Sequence, residues 1–305
     1  MDSVRKGNEL AITIPQKWDK CTVDDIFKEK WKTPKKMLHE LRMSKNVKVD
    51  GQEIPWNLPL LTGQSLSFPA FESKLPASII PADLEIDIIY EDDFLLIANK
   101  PSGLETHPST AGHTNTLLNA VAYYLTQSGQ QGYIKHIHRL DKDTTGAVLF
   151  AKAKLVGSML DKMLEEREIK RTYAALVEGI IAQPQGTINE KIGRDRHHAT
   201  RRRVSPGGQS AITHYKAVHT FPKENMTLIT CQLESGRTHQ IRVHLSHIGH
   251  PLMGDILYGG PSKFKRQALH ALKIEFIHPI TEEPIEVAAP FLDNPSIFPS
   301  QILEG

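Results

Sequence analysis

Two cysteines in 305 residues, Cys21 and Cys231, are too few for a disulfide framework, and neither stands in a CxxC spacing. Their scarcity fits a reducing compartment and leaves no thiol set for a structural zinc. Apolar runs are short. Nothing approaches the ~18 residues of a membrane span, and the opening MDSVRKGNELAITIPQ has no apolar stretch of signal-peptide type. A cytoplasmic protein without a membrane partner is expected. Net charge is only +2, so any polyanion must meet local basic patches rather than the whole molecule. Chemistry-bearing signatures are missing too: no GxGxxG, no Walker loop, no GxSxG elbow and no HExxH. Four histidines, His239, His244, His247 and His250, invite a metal reading, but no ligand pattern accompanies them. Neither a metal nor a cofactor is expected.

What is present suits a soluble globular chain long enough for two domains, with 39% hydrophobic and 24% charged residues. Residues 1–75 read as a small module. TPKKMLHELRMSKNVKVDGQEI gives a basic helix through Met37, Leu38 and Leu41, then a strand, then VDG as a hairpin turn. ESKLPASIIPADLEID reads as a linker over 76–85, and a larger unit runs from 86 to 305. There, FLLIANK, AVLFA, RTYAALVEG and NMTLITCQLES read as strands. NTLLNAVAYYL, capped at Thr114 or Asn115, and KLVGSMLDKMLEERE read as amphipathic helices. THQIRVHLSHIG reads as a third helix, starting near Thr238 and ended by Gly249. Strands and helices mix without a strict βαβ rhythm. An α+β fold with a mixed, largely antiparallel sheet flanked by helices is expected.

HIHRLDKDTTGAVLFAK (136–152) places ionisable residues immediately before a buried strand. By composition LDKDTTG is a turn, where an aspartate serves equally as a cap or as a catalytic group. Asp141 and Asp143 compete for the two roles. Arg237, at the end of a strand, could reach such a carboxylate and favour its charged form in a dry pocket. The basic signal is local: KIGRDRHHATRRRV (191–204) carries six Lys/Arg against Asp195 alone. With the basic helix this makes two patches suited to a phosphate backbone.

Together these segments resemble the RluA-type RNA pseudouridine synthase family (RluA/RluD). IIYEDDFLLIANKPSGLETHPS is similar to its opening strand and KPxGxxxHP block, and HRLDKDTTGAVLFAK to its HRLDxxTSG block. KRTYAALVEG, SGRTHQIRVHLSHIGHPLMGDILYG and ALHALKIEFIHP follow in the family's order, so the resemblance spans about 86–290. Thr145 stands where the family usually has Ser, and Ser235 where Thr is common. The first module resembles an S4-like RNA-binding domain, a small α/β module, although it lacks the usual Arg-Leu-Asp start.

The resemblance implies a pseudouridine synthase fold and isomerisation of uridine to pseudouridine in structured RNA, without a cofactor. It makes Asp141 the catalytic carboxylate, Arg237 its partner, and Tyr173 the aromatic against uracil. Arg139 would fill the gap left by a flipped-out uridine, and Leu269 would pack on the base. Further RNA contacts are expected from His138, from Lys191, Arg194, Arg201, Arg202 and Arg203, and from Lys35, Lys36, Arg42 and Lys45. The S4-like module points to large-subunit (23S) ribosomal RNA and to rRNA processing by a monomer. Transfer RNA as the substrate, and a non-catalytic RNA-binding or assembly factor, are the alternatives.

Overall fold

The computed structural model describes residues 1–130 and 132–299, so positions 131 and 300–305 of the expected catalytic unit lie outside the described residues. Four short strands open the chain: β1 (Ser3–Lys6), β2 (Glu9–Thr13), β3 (Lys48–Val49) and β4 (Ser65–Pro69). They form one antiparallel sheet in the order β1-β2-β4-β3. A single turn, α1 (Val23–Asp25), runs into a π turn, and the basic helix follows as α2 (Lys35–Ser44). Thr22 and Asp25 form a reciprocal capping box at the start of α1. The expected VDG turn is present, with Asp50 and Gly51 both at positive φ (49° and 79°). Strands β1 and β2 were not anticipated, because four or five residues carry too little alternation to register.

The larger unit is built on one sheet. Its strands are β5 (Asp87–Glu91), β6 (Leu95–Lys100), β7 (Lys135–His136), β8 (Thr145–Ala151), β9 (Lys170–Glu178) and β10 (Gln185–Asn189). A separate ribbon pairs β11 (Ile192–Arg194) with β12 (Arg202–Val204). The sheet resumes with β13 (Ile212–Phe221), β14 (Met226–Leu233), β15 (Leu269–Ile277) and β16 (Pro284–Ala288). Strand order is β10-β13-β14-β9-β15-β8-β6-β5, with β16 on β15 and β7 on β8. Of these pairings only β15 with β8 is parallel, so the chain is α+β with a largely antiparallel sheet.

Every residue of β6 and β8 is buried, which follows from cover on both faces. Alternate side chains separate into two cores. Leu95, Ile97, Ala147 and Leu149 join α4 (Lys154–Glu165) and the first module, whereas Leu96, Ala98, Val148 and Phe150 join α3 (Leu117–Gln127). The first core is continuous with Phe27, Trp31 and Phe68 of the N-terminal sheet. Phe71 meets Phe94 at 5.8 Å between ring centres, and Arg5 meets Asp93 at 3.7 Å. The linker segment is not a free tether: Ala82 N donates to Asn119 O, and Asn119 Nδ2 donates to Ile80 O.

Two local details differ from expectation. The cap of α3 is Thr116, not Thr114 or Asn115; its hydroxyl accepts from Asn119 N. The third helix, α5 (Gln240–His247), starts later than Thr238, because His239 precedes it in a left-handed conformation (φ 59°). Where β8 and β15 run parallel, a Cβ on Gly146 would lie 2.3 Å from Ala271 O, and its φ is 109°. Only glycine admits that approach.

Candidate active site

The loop between β7 and β8 is fixed before any functional group is considered. Leu140 N donates to Thr106 Oγ1, and that hydroxyl donates back to Leu140 O, both at 3.0 Å. Asp141 O closes a turn with Thr144 N. From beneath, Lys100 Nζ donates to Pro101 O, Leu104 O and Lys142 O at 2.7–2.8 Å. This lysine has no exposed surface. Burial pushes its ammonium down to about 7, against the opposing pull of the Asp143 and Asp141 carboxylates. Three carbonyl acceptors match the three donors of the charged form. The KPSG block is therefore the cradle of the aspartate loop.

On that loop the two aspartates part company. Asp141 lines a cleft of about 490 Å³ with Tyr173 and Leu269, its side chain 21% exposed. Asp143 lines only a neighbouring hollow of about 610 Å³, which Asp141 and Arg139 share. The cation on Asp141 is Arg242, whose Nη1 donates to Oδ2 at 3.0 Å. This corrects the expected Arg237 pairing. Arg242 is buried on the first turn of α5, where Asp255 holds its other edge in a fork of 2.7 and 2.9 Å. Burial works against its charge, but the Asp255 and Asp141 carboxylates outweigh that and raise its pKa. Arg237 stands on the exposed loop before the helix, and its Nε donates to Ser210 O at 3.1 Å. It borders the cleft without touching the carboxylate.

Tyr173 projects from β9 opposite Cys231 and Ala271, with 4% of its surface exposed. Burial raises its pKa, with the Arg171 guanidinium pulling the other way, so it presents a neutral phenol at the cleft floor. Leu269 is buried in the same wall. Arg171, two residues before Tyr173 and on the same face of β9, was not anticipated. It is buried, lines the cleft, and has no carboxylate partner among the described residues.

Arg139 is exposed and reaches across the cleft mouth, Nη2 to Thr238 Oγ1 at 2.9 Å. His138, expected at the RNA, lines the cleft but is buried, and its Nε2 accepts from Leu149 N. Arg42 is also engaged within the protein, pairing with Asp24 and lying 5.0 Å from the Trp56 ring centre. Lys35, Lys36 and Lys45 are exposed. In the other segment Lys191, Arg194, Arg201 and Arg203 are exposed and Arg202 is half-buried, with Arg201 3.8 Å from Asp195. The four histidines of the metal reading are dispersed. His239 bonds Tyr258, His244 bonds Thr213 and Glu190, and His250 bonds Glu178. Thr145 is buried in a relay, accepting from Arg266 Nη2 and meeting His270 Nδ1 at 2.7 Å, while His270 Nε2 faces Ala289 O.

Burial lowers His270 and His136 to about 4, and carries His138 well below its ordinary value. These rings stay neutral in the fold while the unfolded chain gains protons below about 6.5. The unfolded state then binds more protons, so stability falls as pH drops from about 6.5 towards 4. Melting temperature should fall by roughly 5 °C or more between about pH 7 and pH 5. His270→Asn should flatten part of that slope; an unchanged slope would refute its share.

Residues 94–247 match the family described as RNA pseudouridylate synthase, and residues 10–66 match the RluD ribosomal pseudouridine synthase N-terminal domain. The chain is 46% identical over 288 residues to the uncharacterized RNA pseudouridine synthase YhcT of Bacillus subtilis, covering 94% of this chain and 95% of that one. It is 40% identical over 241 residues to ribosomal large subunit pseudouridine synthase D of Haemophilus influenzae, covering 73% and 71%. Among solved structures, human RNA pseudouridylate synthase domain containing 1 aligns with a TM-score of 0.58 at 24% identity. That alignment covers 73% of this chain and 95% of the human one, and it shows a shared fold.

Proposed function

The chain belongs to the RNA pseudouridylate synthase family, and from that premise we propose that it isomerises a uridine of large-subunit ribosomal RNA with Asp141 as its catalytic carboxylate. The observation that carries the catalytic assignment is the Asp141–Arg242 pair, at 3.0 Å, facing the cleft that Tyr173 and Leu269 wall. Pseudouridine formation breaks the C1′–N1 glycosidic bond, turns the freed uracil and joins C1′ to C5. Nothing is gained or lost overall. The chemistry asks for one anionic oxygen beside the sugar and base, an apolar wall for the ring, and little water. A cleft of about 490 Å³ accommodates a nucleoside.

A uridine in folded RNA reaches such a cleft only by leaving its stack, at a cost of a few kcal/mol. Arg139, at the cleft mouth, would release Thr238 and occupy the vacated space. Support for a ribosomal substrate is the N-terminal match to the RluD domain and the named function of the Haemophilus relative. The exposed lysines of α2 and the ribbon arginines would meet the phosphate backbone.

The test uses ribosomal and transfer RNA carrying tritium at uridine C5, both from cells lacking the gene. Release of label to water from large-subunit RNA is the expected result. Release from transfer RNA alone would overturn the substrate, and release from neither would leave an RNA-binding factor.

A further inference from the structure

Beside the cleft lies a hollow of about 360 Å³ between the β11–β12 ribbon and the loop before α5. Arg194, Arg202 and Arg237 line it, together with the turn at Gly207 and Gly208. Among the described residues none of the three has a carboxylate within 4.0 Å. Of the Arg237 guanidinium only Nε is hydrogen-bonded to protein among the described residues, so both terminal nitrogens are free to donate to a ligand.

The ribbon makes this arrangement costly. Arg194 and Arg202 are direct cross-strand partners, so two like charges sit opposite each other on one face. Each strand has only three residues, too few to hold repelling charges together unaided. What holds them is the next cross-strand pair on the same face: Ile192 and Val204 pack with Tyr258 and Val243, and the Tyr258 hydroxyl accepts from Arg202 N at 2.9 Å. The turn above is equally close, since a Cβ on Gly208 would lie 2.4 Å from the Ile192 carbonyl carbon. A scaffold that fixes three unneutralised guanidiniums around one space is built for an anion. Forked guanidinium donors suit the paired oxygens of a phosphate.

Arg237 and Thr238 line this hollow and the Asp141 cleft alike. A nucleotide turned into the cleft therefore carries its neighbouring backbone over the hollow. We infer that Arg194, Arg202 and Arg237 form a phosphodiester subsite for the RNA strand adjoining the reacting uridine. This rests on the reading that the chain acts on RNA, and it gives Arg237 a role at the backbone in place of the carboxylate.

The test compares the full-length protein with Arg194→Gln, Arg202→Gln and the double variant. Lys273→Gln, whose ammonium is already paired with Glu275 and Glu286 and which lines neither the cleft nor the hollow, is the control. Binding of deproteinised large-subunit ribosomal RNA is titrated with salt. Each lost single-strand phosphate contact should reduce the slope of log K against log salt by about 0.7. Each single variant should bind about tenfold more weakly, and the control should match wild type.

Melting in inorganic phosphate against chloride, at matched ionic strength, separates binding from folding. Phosphate should raise the wild-type melting temperature and leave the double variant unmoved. In chloride the double variant should melt no lower than wild type, because repulsion has been removed. A wild-type salt slope in the double variant overturns the proposal. Phosphate stabilisation with that unchanged slope would mean a free-phosphate site and overturns it too. Failure of the isomerase reading looks different: the wild-type protein then releases no tritium, whatever the salt slopes.

Discussion

Asp141→Asn should abolish tritium release while leaving the fold intact. Asparagine keeps the shape and one acceptor oxygen, so the Arg242 contact can persist in weaker form. The substitution removes the negative charge itself, and the other carboxylates lining the cleft are paired elsewhere, Asp161 with Lys135, Glu165 with Lys162 and Glu234 with Arg167, while Tyr173 is held as a neutral phenol and Asp143 faces the neighbouring hollow. A loss of at least ~10⁴-fold, or about 5–6 kcal/mol of transition-state stabilisation, is expected. Stability should change by no more than ~1 kcal/mol, because Asp141 is partly exposed and Arg242 retains its buried fork with Asp255. Circular dichroism and a melting curve check the fold, and label release from ribosomal RNA checks the chemistry. Release surviving at even a hundredth of the wild-type rate would remove Asp141 from the catalytic role. The companion change Asp143→Asn should leave release within a few-fold of wild type.

Much of this site was readable along the chain, and the misreadings have physical causes. Periodicity located β6, β8, α3 and α4, because each buries a face or a whole run. It failed at α5. Residues Gln240–Leu245 are all buried, so no polar stripe marks which way any one side chain points. The arginine nearest the strand end was therefore preferred to one inside the helix. A signal was available in GDILYG: a buried Asp255 demands a buried cation. The run 191–204 reads as a basic patch for a phosphate backbone but not as a paired ribbon, because three-residue strands leave no alternation to count. The lysine of KPSG, likewise, has no visible partner along the chain. Its partners are three carbonyls brought together only by the fold.

A buried pair can be required for activity without being a source of stability, and substitutions at Arg242 should separate the two. Arg242→Met should destabilise the protein by about 3–5 kcal/mol, because Asp255, 2% exposed, is left buried and unpaired. Activity would vanish with the fold, which by itself says nothing about catalysis. The second change separates the two effects. In Arg242→Met/Asp255→Leu both buried charges are gone, and packed apolar groups can replace such a pair at little net cost. Most of the lost melting temperature should return. Turnover should not, because Asp141 has lost the guanidinium that orients it at 3.0 Å, and no other arginine in the cleft is bonded to it. RNA binding should stay near wild type while kcat falls by at least ~100-fold, since misplacing a reacting group by about an ångström costs that much. Recovered turnover together with recovered folding would reduce Arg242 to a structural group. Arg242→Lys keeps the charge but loses the planar fork, and cannot serve Asp255 and Asp141 together. It should fold better than Arg242→Met and still turn over poorly, which places the requirement on geometry rather than on charge alone.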